Sequence, residues 1–293
     1  MVFLRSIALL LLLVSSVGVA WSQSLQLVPW KDELFALPPT LEERDGGDYR
    51  IVNYSSQKEI NERDAVNEKK VKKEYVSLEP LKFQKDARIK TKAGWVRHFT
   101  VGRTEGASII VFYIHGHRGS REQGVDDWTF GGNFNRLKNL AVKSGGLYIS
   151  PDFQGFTGRG AQQIAGLIEH YKARSPNAKL ILSCGSAGGR ICYQLAKKDA
   201  IAAQMDGIMF LGSFSDNGFL SSDAFKDRVP IYIGHGSRDY ISLVENLEGF
   251  YRSIRARDPS YPIKMVRFET GTHGTPIRMT DWRGVINWML SAK

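Results

Sequence analysis

Between Ser108 and Phe268 the chain repeats one pattern, a short apolar run followed by a segment long enough for a helix. The first run, Ser108 to Ile114 (SIIVFYI), is nearly uninterrupted, which marks a strand buried on both faces rather than one with a wet side. Further strands are expected at Leu147 to Ser150, Lys179 to Cys184, Gly207 to Leu211, Pro230 to Gly234 and Ile263 to Phe268. Helices are expected over Gln162 to Arg174, Ala187 to Lys197 and Leu243 to Arg255, with a terminal helix near Trp282 to Leu290. Parallel strands need crossovers, so this alternation implies an α/β fold with a mostly parallel central sheet and helices on both faces. Tyr75 to Phe83 and Trp95 to Val101 read as antiparallel strands at one edge of it. No internal repeat interrupts the pattern, and one compact domain is the simplest account.

The 293 residues are 42% apolar and 24% charged, enough for one large core and unlike a disordered chain. Arg5 followed by the apolar run Ile7 to Ala20 and the small residues Ala20 and Ser22 reads as a signal peptide over 1–22, cut before Gln23. That run is short against the roughly 20 residues of a spanning helix, although an uncleaved membrane anchor is the alternative. The mature protein is therefore expected to be soluble and secreted or periplasmic. Residues 23–74 are polar, with Pro38-Pro39 and a charge run from Lys58 to Lys73, and are expected to form a solvated, partly ordered arm. Trp30 and Phe35 could dock it on the body, taken as 75–293.

The net charge of +10 would draw an exported chain toward anionic surroundings such as lipid headgroups or acidic polysaccharide, allowing peripheral surface association. Solubility explains the charge equally well. No zinc-finger spacing or RNA-binding aromatic signature occurs, so nucleic acid is not an expected partner. Cys184 closes a strand and Cys192 lies in the next helix. That helix is expected to hold them beyond the roughly 7 Å that a disulfide spans, so both read as small buried packing residues.

The segment Lys179 to Arg190, KLILSCGSAGGR, carries the chemistry: an apolar strand, a tight turn of small residues centred on Ser186, then a helix. Small neighbours let the backbone turn sharply and lift the hydroxyl clear of the sheet, while the helix start offers amides and a positive dipole end to a developing oxyanion. A phosphate cradle or plain packing would need a similar turn. The segment resembles the nucleophile elbow of the α/β-hydrolases. Gly188 matches the second glycine of the G-x-S-x-G pattern, and Cys184 stands where the pattern has its first.

The resemblance extends over roughly Tyr75 to Lys293. It implies the α/β-hydrolase fold, a sheet of about eight strands and catalytic loops at their carboxyl ends. In chain order it places the acid at Asp239, just past the strand in VPIYIGHGSRD, and the base at His273, in ETGTHGTP after the next strand. A serine hydroxyl needs such a histidine to take its proton and an acid to fix the histidine tautomer. Asp216, in FLGSFSDNG after another strand end, is the competing acid. The resemblance also marks YIHGHRGS as the oxyanion loop, with the amides of His117 and Ala187 as donors and Arg118 as the substitute for the first. His115 is expected to hold that loop. A metal bound by His115 and His117 has no third ligand at a recognisable spacing.

His235 is expected beneath the acid loop, and His98 and His170 carry no expected role. Trp128, Phe153 and Phe219, with Phe130 and Phe156, lie on loops that this fold turns toward the site and are candidates for a substrate pocket, or else ordinary core. Arg159, Arg190 and Arg238 flank the site and could pair with an anionic substrate group or with neighbouring acids. The segment Ser213 to Arg228 is short, so any lid is small. The expected activity is hydrolysis of a small-molecule or polymer-linked carboxylic ester, anionic or not, through an acyl-enzyme and with no cofactor. A serine peptidase or amidase of the same fold, or a catalytically silent relative binding an anionic cell-surface ligand, are the alternatives.

Overall fold

The computed structural model describes residues 25–292, so the leader expected at 1–22 lies outside the described residues. In chain order the strands are β1 (Thr40–Arg44), β2 (Tyr49–Val52), β3 (Asp64–Val66), β4 (Lys70–Val71), β5 (Gln84–Thr91), β6 (Gly94–Gly102), β7 (Ile109–Ile114), β8 (Leu147–Pro151), β9 (Lys179–Gly185), β10 (Gly207–Leu211), β11 (Ile231–Gly236) and β12 (Ile263–Phe268). The helices are α1 (Asn133–Lys143), α2 (Gly158–Arg174), α3 (Gly189–Ala196), α4 (Asp199–Ala202), α5 (Asp223–Lys226), α6 (Val244–Arg257), α7 (Thr275–Met279) and α8 (Trp282–Ala292).

Ten strands form one sheet in the order β1-β2-β12-β11-β10-β9-β7-β8-β6-β5, and β3 and β4 form a separate ribbon. From β8 across to β2 every pairing is parallel. Strands β6, β5 and β1 are antiparallel to their neighbours and finish the two edges. Alternate residues of each central strand enter different cores. Ile110, Phe112 and Ile114 of β7 pack with α2, α3 and α6, whereas Ile109, Val111 and Tyr113 pack with α1 and α8. Burial on both faces is why these strands read as continuous apolar runs.

The edge hairpin is β5 and β6, paired from Gln84↔Val101 to Thr91↔Gly94. The first strand expected there, at Tyr75 to Phe83, is two short 3-10 turns instead, and the strand starts at Gln84. Helix α1 carries no clear apolar stripe in the sequence because its buried side includes Asn133, Asn135, Arg136, Lys138 and Asn139. Tertiary partners engage them: Lys138 bonds the Val125 carbonyl at 2.7 Å and pairs with Asp127 at 2.7 Å, and the Asn133 amide donates to the carbonyls of Ile277 and Thr280.

The expectation of a solvated arm over 23–74 is corrected by the structure. Strand β2 lies parallel to β12 with Met265↔Tyr49 and Phe268↔Val52 in register, and it extends the sheet beyond the expected eight strands. The apolar residues of this segment are sparse, but Leu27, Phe35, Tyr49, Val52, Tyr54 and Val71 are all buried. Charged groups fasten the rest. Arg136, itself buried, pairs with Asp32 at 3.0 Å and lies over the Phe35 ring at 4.9 Å, and Arg283 holds Asp32 at 3.0 Å. The terminal strand β1 is exposed throughout and rich in charge, as suits an unpaired sheet edge.

The cysteines are corrected as well. Cys184 and Cys192 form a disulfide, with Cα atoms 6.5 Å apart. A 3-10 turn over Ser186–Gly188 folds the chain back before α3 begins, so α3 does not carry Cys192 away from the strand end. The bridge encloses Ser186. Replacing both cysteines by alanine is expected to lower the unfolding free energy by about 2–3 kcal/mol, the loop-closure contribution for so short a loop. Urea titration of the two proteins measures the difference.

Candidate active site

The carboxyl ends of β7, β9, β10, β11 and β12 bring their following loops to one edge of the sheet, where open α/β sheets place their ligand sites. Ser186 follows β9 with φ +49°, a backbone conformation uncommon outside glycine and costing roughly 1–3 kcal/mol. Neighbours hold it there. Ser213, buried after β10, donates its hydroxyl to the Ser186 carbonyl at 2.9 Å, and Ser242 donates in turn to the Ser213 carbonyl at 2.8 Å. Gly116 presses on the serine from the loop after β7, so close that a Cβ there would stand 2.7 Å from Ser186 Cβ. A Cβ at Gly188 would overlap the Ile114 carbonyl oxygen.

Three of the expected residues converge. His273 Nε2 lies 2.9 Å from Ser186 Oγ, and its Nδ1 lies 2.7 Å from Asp239 Oδ2. The pattern assigns the proton to Nδ1, which donates to the carboxylate, and leaves Nε2 to accept from the serine hydroxyl. Asp239 is almost fully buried, and its other oxygen accepts the amides of Ile241 at 2.9 Å and Ser242 at 3.1 Å. Burial by itself would raise this carboxyl. Hydrogen bonds from His235, His273 and the Ser242 amide outweigh it and hold the group well below the usual carboxylate range. His235 lies beneath the acid loop, 3.3 Å from Asp239 and bonded through Nε2 to the Ser242 carbonyl at 2.7 Å.

The competing acid is elsewhere. Asp216 caps the 3-10 turn Asn217–Ser221, accepting the Gly218 amide at 2.8 Å, and pairs with Lys197 at 3.3 Å on the surface. His117 is exposed in the turn that Gly116 starts, and Ala187 is the middle residue of the 3-10 turn Ser186–Gly188. His115 is buried, bonds the Gly116 carbonyl through Nδ1 at 2.9 Å and stacks on Phe153 with ring centroids 4.5 Å apart. Burial pushes its pKa down despite that bond, so the ring is neutral and holds the loop.

Among the aromatic candidates, Phe153 and Phe156 pack edge to face beside His115, on the loop after β8. Phe219 is corrected to core: it is wholly buried and packs against Tyr193, Phe225 and Phe250. The sequence placed it after a strand end, but the 3-10 turn there points it inward. Trp128 packs under Lys70, 5.1 Å from the ring centroid, and its carbonyl accepts the Val71 amide. It supports the β3–β4 ribbon, and its ring packs against Lys70 rather than against the three converging residues. Arg190 lies over Phe214 at 5.3 Å, while Arg159 and Arg238 are exposed. His98 is buried against Tyr171, 2.6 Å away.

A cleft of about 490 Å³ opens beside His273. Part of its lining follows β11 and β12, including Tyr240, Ile241 and Thr272. Tyr54, Ile60 and Glu68 come from the N-terminal segment, whose role here the sequence reading missed. Its polar composition hid it, and only the buried attachment points Tyr54 and Val71 could have signalled docking.

No family model matches this chain, and no curated protein matches it. Solved structures do. A putative α/β hydrolase of unknown function from Agrobacterium tumefaciens superposes with TM-score 0.55 at 14% identity, covering 71% of this chain and 95% of the other. An esterase from Pyrococcus furiosus gives TM-score 0.54 at 14% identity, with 73% and 95% covered. A serine hydrolase without a lid from Xanthomonas campestris gives 0.52 at 13% identity, with 71% and 94% covered. The chain has the α/β-hydrolase fold.

The geometry predicts that Asp239→Asn slows labelling of Ser186 by a fluorophosphonate by about 10³-fold or more, as expected when the tautomer-fixing acid is lost. Asp216→Asn leaves the labelling rate within about twofold. Rates from time-resolved mass spectrometry compare the two.

Proposed function

We propose that this protein of α/β-hydrolase fold is an exported serine hydrolase that cleaves carboxylic esters through an acyl-enzyme. The observation that carries the reading is the unbroken hydrogen-bonded chain from Ser186 through His273 to Asp239. Ser186 Oγ attacks the ester carbonyl as its proton passes to His273 Nε2. Asp239, kept ionised by its donors, stabilises the imidazolium and fixes its orientation. The tetrahedral oxyanion takes hydrogen bonds from the backbone amides of His117 and Ala187. The first belongs to the loop that Gly116 packs against Ser186, and the second to the middle residue of the turn that Ser186 begins, where no preceding carbonyl of that turn takes its proton. Collapse breaks the carbonyl–alkoxy bond, and His273 returns its proton to the departing alcohol. Water then adds by the same route in reverse and frees the acid.

Ester rather than amide hydrolysis is supported by the esterase among the similar structures, and the short segment after β10 suits an open site that admits bulky or polymer-linked substrates. Export is supported by the apolar leader and by the disulfide, which persists in oxidising compartments. The net charge of +10 suits an anionic surface in that setting.

A fluorophosphonate probe is expected to label Ser186, and Ser186→Ala to abolish both labelling and turnover of short-chain esters. Faster cleavage of a matched amide would make it an amidase, and an unlabelled, inactive protein would make it a binding protein. Gly116→Ala, whose Cβ must displace the nucleophile or the oxyanion loop, is expected to cut kcat by about 10²-fold or more, the scale of losing one oxyanion donor. Its circular dichroism is expected to match that of the parent.

A further inference from the structure

We infer that the cleft between the N-terminal segment and the acid loop is the alcohol-side subsite, and that it favours esters whose alcohol carries a cationic ammonium group. This rests on the ester-hydrolase reading above. Three observations lead to it.

The first is position. In acylation the alkoxy oxygen must receive the proton that His273 took from Ser186, so the alcohol leaves on the histidine side while the acyl group stays on Ser186 Oγ. The cleft is lined by Thr272, His273 and Gly274 themselves. Phe153 and Phe156 lie instead beside His115 on the oxyanion loop, away from that lining.

The second is charge. Two lining residues other than the histidine carry formal charge, Arg278 and Glu68. Arg278 is already neutralised: its guanidinium makes two bonds to the buried Asp64 carboxylate, at 3.0 and 2.7 Å, and a third to the Glu59 carbonyl at 2.7 Å. Glu68 is at the tip of the β3–β4 ribbon, exposed, and held at φ +58° with its amide bonded to Asp64 at 2.7 Å. Within the lining, Glu68 is therefore the charge left to a ligand, although Lys69 and Lys70 follow it, exposed, on the same ribbon.

The third is aromatic content. Tyr54, Phe130 and Tyr240 line the same cleft, and Tyr240 is 83% exposed at its mouth. Aromatic rings and a carboxylate lining one cleft can attract an ammonium by cation–π and Coulomb terms together, and such a lining repels an anionic alcohol. The ribbon is fastened to the His273 loop by the Arg278–Asp64 pair, since α7 begins two residues after His273. The subsite and the base are thus held as one unit.

The test compares 2-(trimethylammonio)ethyl acetate with its neutral isostere 3,3-dimethylbutyl acetate, using ethyl acetate as a substrate too short to fill the cleft. The parent protein is expected to show kcat/KM at least fivefold higher for the cationic ester. Glu68→Gln is expected to bring the ratio within twofold and leave ethyl acetate unchanged. Tyr240→Ala is expected to slow both long esters several-fold and spare the short one. A parent that does not favour the cation, or a ratio unmoved by Glu68→Gln, overturns the subsite. Calorimetry with Ser186→Ala protein and the cationic ester gives a second readout that needs no turnover: binding is expected to weaken about fivefold on adding Glu68→Gln. If no ester is hydrolysed but this difference is present, the hydrolase reading fails and the cation site stands. If ethyl acetate is hydrolysed and the difference is absent, the reverse holds.

Discussion

The parallel pairing of β9, β10, β11 and β12 is the constraint on which the candidate active site depends. Leu211 is level with both Gly185 and Gly234, and Gly236 is level with Phe268, so the strand ends that launch the serine, acid and histidine loops stay in step. Each of these strands is covered on both faces, and a slip by one residue would exchange its two sets of side chains between different cores. The register is therefore enforced by the whole interior. That is how loops 87 residues apart in sequence can keep Ser186 and His273 at hydrogen-bonding distance.

On this frame the elbow stores strain, and its neighbours retain it. Ser186 stays at positive φ because Ser213, Gly116 and the bridge from Cys184 to Cys192 leave the turn little other room. The acid loop is fixed in the same manner. Asp239 is buried, yet its donors number two amides and two imidazoles, so ionisation is favoured where desolvation alone would oppose it. Ser242 links the two regions: its amide serves Asp239, its carbonyl serves His235 and its hydroxyl serves Ser213.

The N-terminal segment shows how polar sequence can become structural. It contributes few apolar side chains and docks through ion pairs, the buried Arg278 with Asp64 and the half-exposed Asp32 with the buried Arg136. Such pairs add little net stability, because desolvation offsets much of their attraction, but a broken one leaves an uncompensated buried charge. They therefore act mainly to define where the segment sits. Its position against α7 carries the β3–β4 ribbon to the cleft beside the histidine.

By itself the sequence determined the α/β class, the order of strands from Ser108 onward and the chain positions of Ser186, Asp239 and His273. Those features were legible because they are local: apolar runs, turn residues and strand ends are written in neighbouring positions. Tertiary structure decided what depends on distant partners. Asp239 and Asp216 each follow a strand, and only the packing of the loops brings the former to 2.7 Å from His273 while leaving the latter with Lys197. Phe219 turned inward, α1 buried its polar face, and 25–74 joined the sheet and the cleft, all through contacts across long stretches of chain. The disulfide had the same origin. Spacing along a helix argued against it, and the sharp fold at Ser186 brought the two Cα atoms to 6.5 Å.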